Sequence, residues 1–180
     1  MNITIKHTLT NIQKFNSKIV LVLVACFSIA FSLHAKVIHV PSDFTSIQSA
    51  IDTADNGDSI VVAPGVYNEN IKVMHKYNIS IIGLDADVTT IMGLGTFHVV
   101  SFNVASGEIS GFTIKNSGNT MGYHSGVFTS QATVTIKNNI ITENNQAMSL
   151  SSLSSIIVER NKIFNNYAWH IIESQGSTDG

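Results

Sequence analysis

Cysteine and arginine are nearly missing from this chain, and charge of either sign is scarce. Cys26 is the only cysteine among 180 residues, so no intramolecular disulfide forms and a cysteine-built zinc centre is excluded. Arg160 is the only arginine, charged residues make up 12% of the chain and the formal net charge is −2. A nucleic-acid binder carries a basic patch, and none is written here, so nucleic acid is set aside as a partner. The seven histidines form no His-x-His or His-x-x-x-His pair, so metal catalysis has no support in the pattern. No Gly-x-Ser-x-Gly elbow and no phosphate-binding glycine loop occurs. What remains is plentiful Asn, Ser, Thr and Gly, a neutral hydrogen-bonding surface that suits sugars and equally suits any secreted β-protein. Stability has to come from burial and backbone pairing.

The first 35 residues read as a secretory signal peptide. Lys6, Lys14 and Lys18 precede an apolar run from Ile19 to Leu33, and Ala35 supplies a small residue at the cut. An uncleaved anchor is the competing reading, for which the run is short. Leu23-Val-Ala-Cys26 resembles a lipoprotein box, but Phe27 to Phe31 continue the apolar run. The expected location is outside the cell, at its surface or in a periplasm, with residues 36–180 as the working domain.

That domain repeats itself. Ile136-Lys-Asn-Asn-Ile-Ile141-Thr-Glu-Asn144 returns as Val158-Glu-Arg-Asn-Lys-Ile163-Phe-Asn-Asn166, and a looser copy runs Ile109-Ser-Gly-Phe-Thr-Ile114-Lys-Asn116. Apolar anchors lie five apart in each copy, and the copies step by 27 and then 22 residues. A period in the twenties marks a solenoid, in which each short unit stacks on the next. Short β-prone runs at 79–82, 88–92 and 97–102, separated by Gly, Asn and Ser, give an all-β chain. The longer step is explained by an inserted loop at 119–124. The matched asparagines, Asn139 over Asn161 and Asn144 over Asn166, are read as an architectural ladder at bends where Asn tolerates left-handed φ.

The start of the domain differs. Val37 to Val40 is a short strand stopped by Pro41, and apolar residues at 44, 47, 50, 51 and 54 keep a helical period. Thr45 with Gln48 forms a capping box, or Ser42 or Asp43 is the cap, and Asn56-Gly-Asp58 ends the helix. Val40-Pro-Ser-Asp-Phe44, Ile47-Gln-Ser-Ala-Ile51 and Gly57-Asp-Ser-Ile-Val-Val-Ala-Pro-Gly-Val-Tyr67-Asn-Glu-Asn-Ile71 together resemble the N-terminal cap of the pectin-lyase-like superfamily. The resemblance implies a right-handed, single-stranded parallel β-helix with a short N-terminal capping α-helix, of about four or five coils. It does not fix an activity, since that superfamily spans lyases, hydrolases, esterases, adhesins and non-catalytic members. The helix covers the unpaired edge of the first coil, which otherwise invites another strand. After His170-Ile-Ile-Glu173 the sequence turns loop-like, so a C-terminal continuation or a partner chain is expected to close the other end.

Function is sought where the repeat breaks. Tyr123, His124, Tyr167, Trp169 and His170 are the substrate-binding candidates, aromatic or amphipathic side chains suited to one apolar and one wet face; Tyr67 is a further aromatic, and interior packing is the competing role for all of them. Asp85 and Asp87 are the one Asp-x-Asp pair, a candidate calcium site set against a solvated turn. Glu143 and Glu159 occupy different places in the repeat, which argues against a stacked glycosidase pair, and Arg160 has no partner motif for a lyase base. The leading reading is an exported polysaccharide-associated module with no identified catalytic residue. A lyase or hydrolase completed by missing sequence and an adhesin-like spacer are the alternatives.

Overall fold

In the computed structural model the described residues are 35–119, 124–151 and 153–168. They lie in the unit Ala35–Gly180. Among the described residues fifteen strands and one helix appear in chain order. The chain enters through β1 (Val37–Val40), passes through α1 (Ile47–Thr53), and then winds as a solenoid. Each full coil contributes one strand to each of three sheets: β2 (Ser59–Val62), β3 (Gly65–Asn68) and β4 (Ile71–Met74); β5 (Ile79–Gly83), β6 (Thr89–Met92) and β7 (Val100–Asn103); β8 (Ser106–Ser110), β9 (Thr113–Lys115) and β10 (Ser125–Ser130); β11 (Thr133–Lys137), β12 (Ile140–Thr142) and β13 (Gln146–Leu150). A fifth coil begins with β14 (Ser155–Glu159) and β15 (Lys162–Phe164).

All pairing among the described strands is parallel. The six-stranded sheet runs β1-β2-β5-β8-β11-β14, the five-stranded sheet β3-β6-β9-β12-β15, and the four-stranded sheet β4-β7-β10-β13. Register puts like on like: Ile60, Ile81, Ile109, Ile136 and Val158 form one column, and Ile91, Ile114, Ile141 and Ile163 a second. A third column is Ile71, Val100, Val127 and Met148. Ile60, Ile81, Ile109 and Ile136 are fully buried, each contributing about 1.5–3 kcal/mol relative to exposure. β-Branched side chains suit the pleat here because their one preferred rotamer packs directly on the copy below. The five-residue anchor spacing is the distance from an inward position on the six-stranded sheet, round a corner, to one on the five-stranded sheet.

The bends differ from the expectation by one residue. Left-handed φ falls not on Asn139, Asn144, Asn161 or Asn166 but on the residue before each: Asn138 (56°), Glu143 (54°), Arg160 (53°) and Asn165 (52°). The left-handed residue turns the backbone and stays at the surface, so the next side chain points inward. Asn139 is buried; its Oδ1 accepts from Phe112 N (3.1 Å), and its Nδ2 donates to Ile109 O (3.0 Å) and Asn161 Oδ1 (3.2 Å). Asn144 likewise takes Ser117 N (3.1 Å) and gives to Ile114 O (3.0 Å) and Asn166 Oδ1 (3.1 Å).

The cap is also built differently in detail. Ser46 is the N-cap, its hydroxyl accepting from Ser49 N at 3.1 Å. Neither Thr45, Ser42 nor Asp43 caps the helix, because Gln48 is drawn elsewhere: its Nε2 bonds Asp52 Oδ1 (2.7 Å) and its Oε1 accepts from Lys72 N (2.7 Å). The anion at the helix start is Glu69, whose two oxygens take Ile47 N and Gln48 N, each at 2.9 Å. A carboxylate there satisfies two orphan amides and the helix dipole together. The helix stops at Thr53, earlier than Asn56, with Ala54 extended and Lys76 Nζ donating to the carbonyls of Asp52 and Ala54. Gly57, at φ 92°, instead shapes the following turn, where Asp58 accepts from Lys36 N and Asp55 N, each at 2.8 Å. The helix buries Ile47, Ala50 and Ile51 against the first coil.

Departures from the minimal coil concentrate at the corner between the five- and four-stranded sheets. Two residues, Glu69 and Asn70, join β3 to β4, and 143–145 join β12 to β13, whereas 93–99 and 116–124 fill that place in the second and third coils. The run 97–102 is therefore not one strand: β7 starts at Val100, and Phe97 and His98 belong to the insertion.

Candidate functional site

The insertions raise side chains beside the outer face of the four-stranded sheet. Lys72, Ser101, Phe128 and Ser149 share one outward row of that sheet. Asn70 fixes the first insertion from below, its Oδ1 accepting from Leu94 N (2.8 Å) and its Nδ2 donating to His98 O (2.6 Å). His98 then lies over the row. Its ring stacks on Phe128, centroids 4.3 Å apart and planes 18° from parallel. The His124 ring meets His98 edge-on at 5.1 Å and Phe97 edge-on at 5.6 Å. Phe128, His98, His124 and Phe97 thus form a continuous chain of four rings drawn from two coils. Phe97 is 57% exposed, and Lys72 Nζ stands 5.8 Å from its ring centroid.

The pair His98–Ser125 resembles a base beside a nucleophile, with Nδ1 and Oγ 3.0 Å apart. Burial decides otherwise. Ser125 is wholly inaccessible, and His98 Nδ1 already accepts Ser125 N–H at 2.9 Å. Burial, and then the neighbouring His124, push His98 down to about 4, so the ring is neutral across the physiological range. Neither imidazole pairs with a carboxylate among the described residues. The arrangement offers flat apolar faces with polar edges, which is chemistry for holding a ligand.

The residues singled out from sequence disperse around the coil. His124 belongs to the ring cluster. Tyr167 is 90% exposed at the same corner, lining a depression of about 470 Å³ with Asn116, Asn119, Glu143 and Asn145. Tyr123, Trp169 and His170 lie outside the described residues. Tyr67 donates its hydroxyl to Ala63 O at 2.9 Å and packs against the core, which spends it on structure.

Asp85 and Asp87 sit at another corner, between the six- and five-stranded sheets, on the rim of a groove of about 520 Å³ that also contacts Ser110, Asn138, Arg160 and Lys162. Asp85 Oδ1 accepts from Asp87 N at 2.9 Å, and Asp85 O from Val88 N and Thr89 N, so this carboxylate closes its own turn. No three His, Cys, Asp or Glu side chains converge as a cation site among the described residues. Arg160 donates to Asn138 Oδ1 and to Glu159, each at 3.0 Å. Glu159 stands at that corner while Glu143 stands at the next, paired with Lys115 at 3.2 Å; they do not face each other across a common groove.

Phe97, His98, Phe128, Lys72 and Asn70 are the members of the site that motif reading passes over. The available signal was the length of the second coil, visible only once Ile81 and Ile109 are aligned.

No protein-family model matches the chain, and no curated protein matches it. Among solved structures the chain is similar to a pectin methylesterase mutant crystallised in complex with hexasaccharide IV, with a TM-score of 0.52 and 14% identity. The match covers 76% of this chain and spans 57% of that one. At this identity the likeness speaks for architecture, and together with five parallel turns and one short helix it gives the fold: a right-handed parallel β-helix with a small helical cap.

Proposed function

We propose that this chain is an exported β-helix module that binds a polysaccharide along the outer face of the four-stranded sheet. The observation that carries the reading is the continuous row Phe128–His98–His124–Phe97 beside Lys72. Aromatic faces with polar edges suit the mixed apolar and hydroxylated faces of a sugar ring, and Lys72 adds one positive charge for an acidic polymer. Support of a coarser kind comes from the structural neighbour, a pectin-acting enzyme seen with a hexasaccharide. Tyr167 at the same corner would extend the surface along the coil axis. Export rests on the character of residues 1–35.

The test is a screen of the protein against neutral and acidic glycans, with and without calcium, read both as binding and as turnover. Saturable binding that Phe97→Ala weakens, without turnover, supports the module. Release of ultraviolet-absorbing unsaturated products would replace it with a lyase, and indifference to every glycan would leave a structural spacer.

A further inference from the structure

The two ring nitrogens of His98 have different surroundings, and the difference fixes its protons. Nδ1 lies 2.9 Å from the backbone nitrogen of Ser125. A backbone N–H only donates, so Nδ1 presents its lone pair and the neutral ring carries its proton on Nε2. The Ser125 hydroxyl, 3.0 Å from the same nitrogen, is sealed in the interior with its residue. Ring orientation is held by the stack on Phe128 and by Asn70, which grips the His98 carbonyl. Nε2 is not a sealed interior atom and has no partner among the described residues.

We propose that His98 is the specificity-determining donor of this face, locked as the Nε2–H tautomer and offering that hydrogen to an oxygen of a saccharide seated on the neighbouring rings. The proposal rests on the binding reading above. The charged or titratable groups around the cluster are His124 from the second insertion and Lys72 from β4; neither imidazole pairs with a carboxylate among the described residues. Nothing recruits a second proton to the ring, and the lowered pKa of His98 agrees. A neutral donor beside a lysine selects a ligand of acceptor oxygens, a neutral or uronate-bearing glycan, and disfavours a polymer of cationic amino sugars.

Two substitutions separate the nitrogens. In His98→Asn the amide oxygen can stand in for Nδ1 and keep the Ser125 N–H, while nothing replaces Nε2–H. In His98→Gln the amide nitrogen reaches the Nε2 position and the Nδ1 acceptor is lost. Long-range proton–nitrogen correlation on the free protein at neutral pH is expected to show Nε2 protonated and Nδ1 bare. His98→Asn is expected to fold as the wild type does and to bind glycan about threefold to tenfold more weakly, the loss of one hydrogen bond. His98→Gln is expected to lose stability yet bind within about twofold of the wild type. A proton found on Nδ1, or full affinity in a folded His98→Asn, overturns the donor role alone. A wild-type protein that binds no glycan overturns the binding reading and the donor role with it, while the tautomer measurement still stands.

Discussion

Replacing Asn139 with leucine keeps the size of a buried side chain and removes its hydrogen bonds. Asn139 is 1% exposed; its Oδ1 is the acceptor for Phe112 N, and its Nδ2 serves Ile109 O and Asn161 Oδ1. Leucine leaves the Phe112 amide without its acceptor in the interior, which costs about 1–3 kcal/mol, and forgoes two further bonds of about 0.5–1.5 kcal/mol each. The sum is roughly 2–6 kcal/mol, a large share of the roughly 5–15 kcal/mol that holds a typical domain folded. Aspartate gives a sharper comparison. It keeps an acceptor for Phe112 N but turns a second oxygen toward two acceptors, Ile109 O and Asn161 Oδ1. The folded state then favours the protonated acid, raising that carboxyl above its unfolded value of about 3.9. Asn139→Asp should therefore be strongly destabilised at pH 7 and regain stability as pH falls through the raised folded pKa. Denaturant unfolding followed by far-ultraviolet circular dichroism at pH 7 and pH 4 measures both. A leucine variant within about 0.5 kcal/mol of the wild type, against the 1–3 kcal/mol expected for an orphaned buried amide, refutes the reasoning. So does an aspartate variant indifferent to pH.

Three further outcomes follow from the geometry. Glu69→Gln removes the charge that caps α1 and should cost about 1 kcal/mol, exposing the Ile47 and Gln48 amides to hydrogen exchange while amides near Ile109 stay protected; uniform loss of protection would contradict a local cap. Gly111 has φ 77°, and an added Cβ would lie 2.1 Å from the Gly83 carbonyl oxygen, so Gly111→Ala should cost more than about 2 kcal/mol. Gly57→Ala, at φ 92° but with open space, should cost only about 1 kcal/mol; equal costs in thermal melts would discredit the contact argument. His98 titrates near 4 in the folded protein, below its ordinary 6.5, so its contribution to stability is full above pH 6.5, declines as pH falls toward 4, and is flat below. The difference between wild type and His98→Asn isolates that contribution, and a difference that shrinks as pH rises from 4 to 6.5 would have the wrong sign.

The columns of the solenoid were legible because stacking asks for the same side chain at the same place on each coil, as at Ile109, Ile136 and Val158. The bends were legible only to within one residue. Asn139 and Arg160 look like equally good turn residues in sequence, and only backbone geometry tells the one that bends from the one that bonds. The helix was legible from its period, yet its anionic cap was not, since Glu69 lies more than twenty positions from Ile47. The ring cluster was half visible. His124 stands out by interrupting the repeat, but Phe97-His98 reads as the start of a strand, and its stack with Phe128 depends on which residues the coil superimposes.

The uneven second corner has a further consequence. Between β6 and β7, and between β9 and β10, extra residues enter without shifting any pair in the sheets on either side. Closing a loop twice as long costs only about 0.6 kcal/mol, so the corner can lengthen at almost no expense to the scaffold. What the surface recognises and what keeps the chain folded can then change independently. The short connection 143–145 is the natural place to test this by grafting: a transplanted copy of 93–99 should add a second ledge carrying Phe and His side chains two coils beyond the first, with the parallel register beneath it undisturbed.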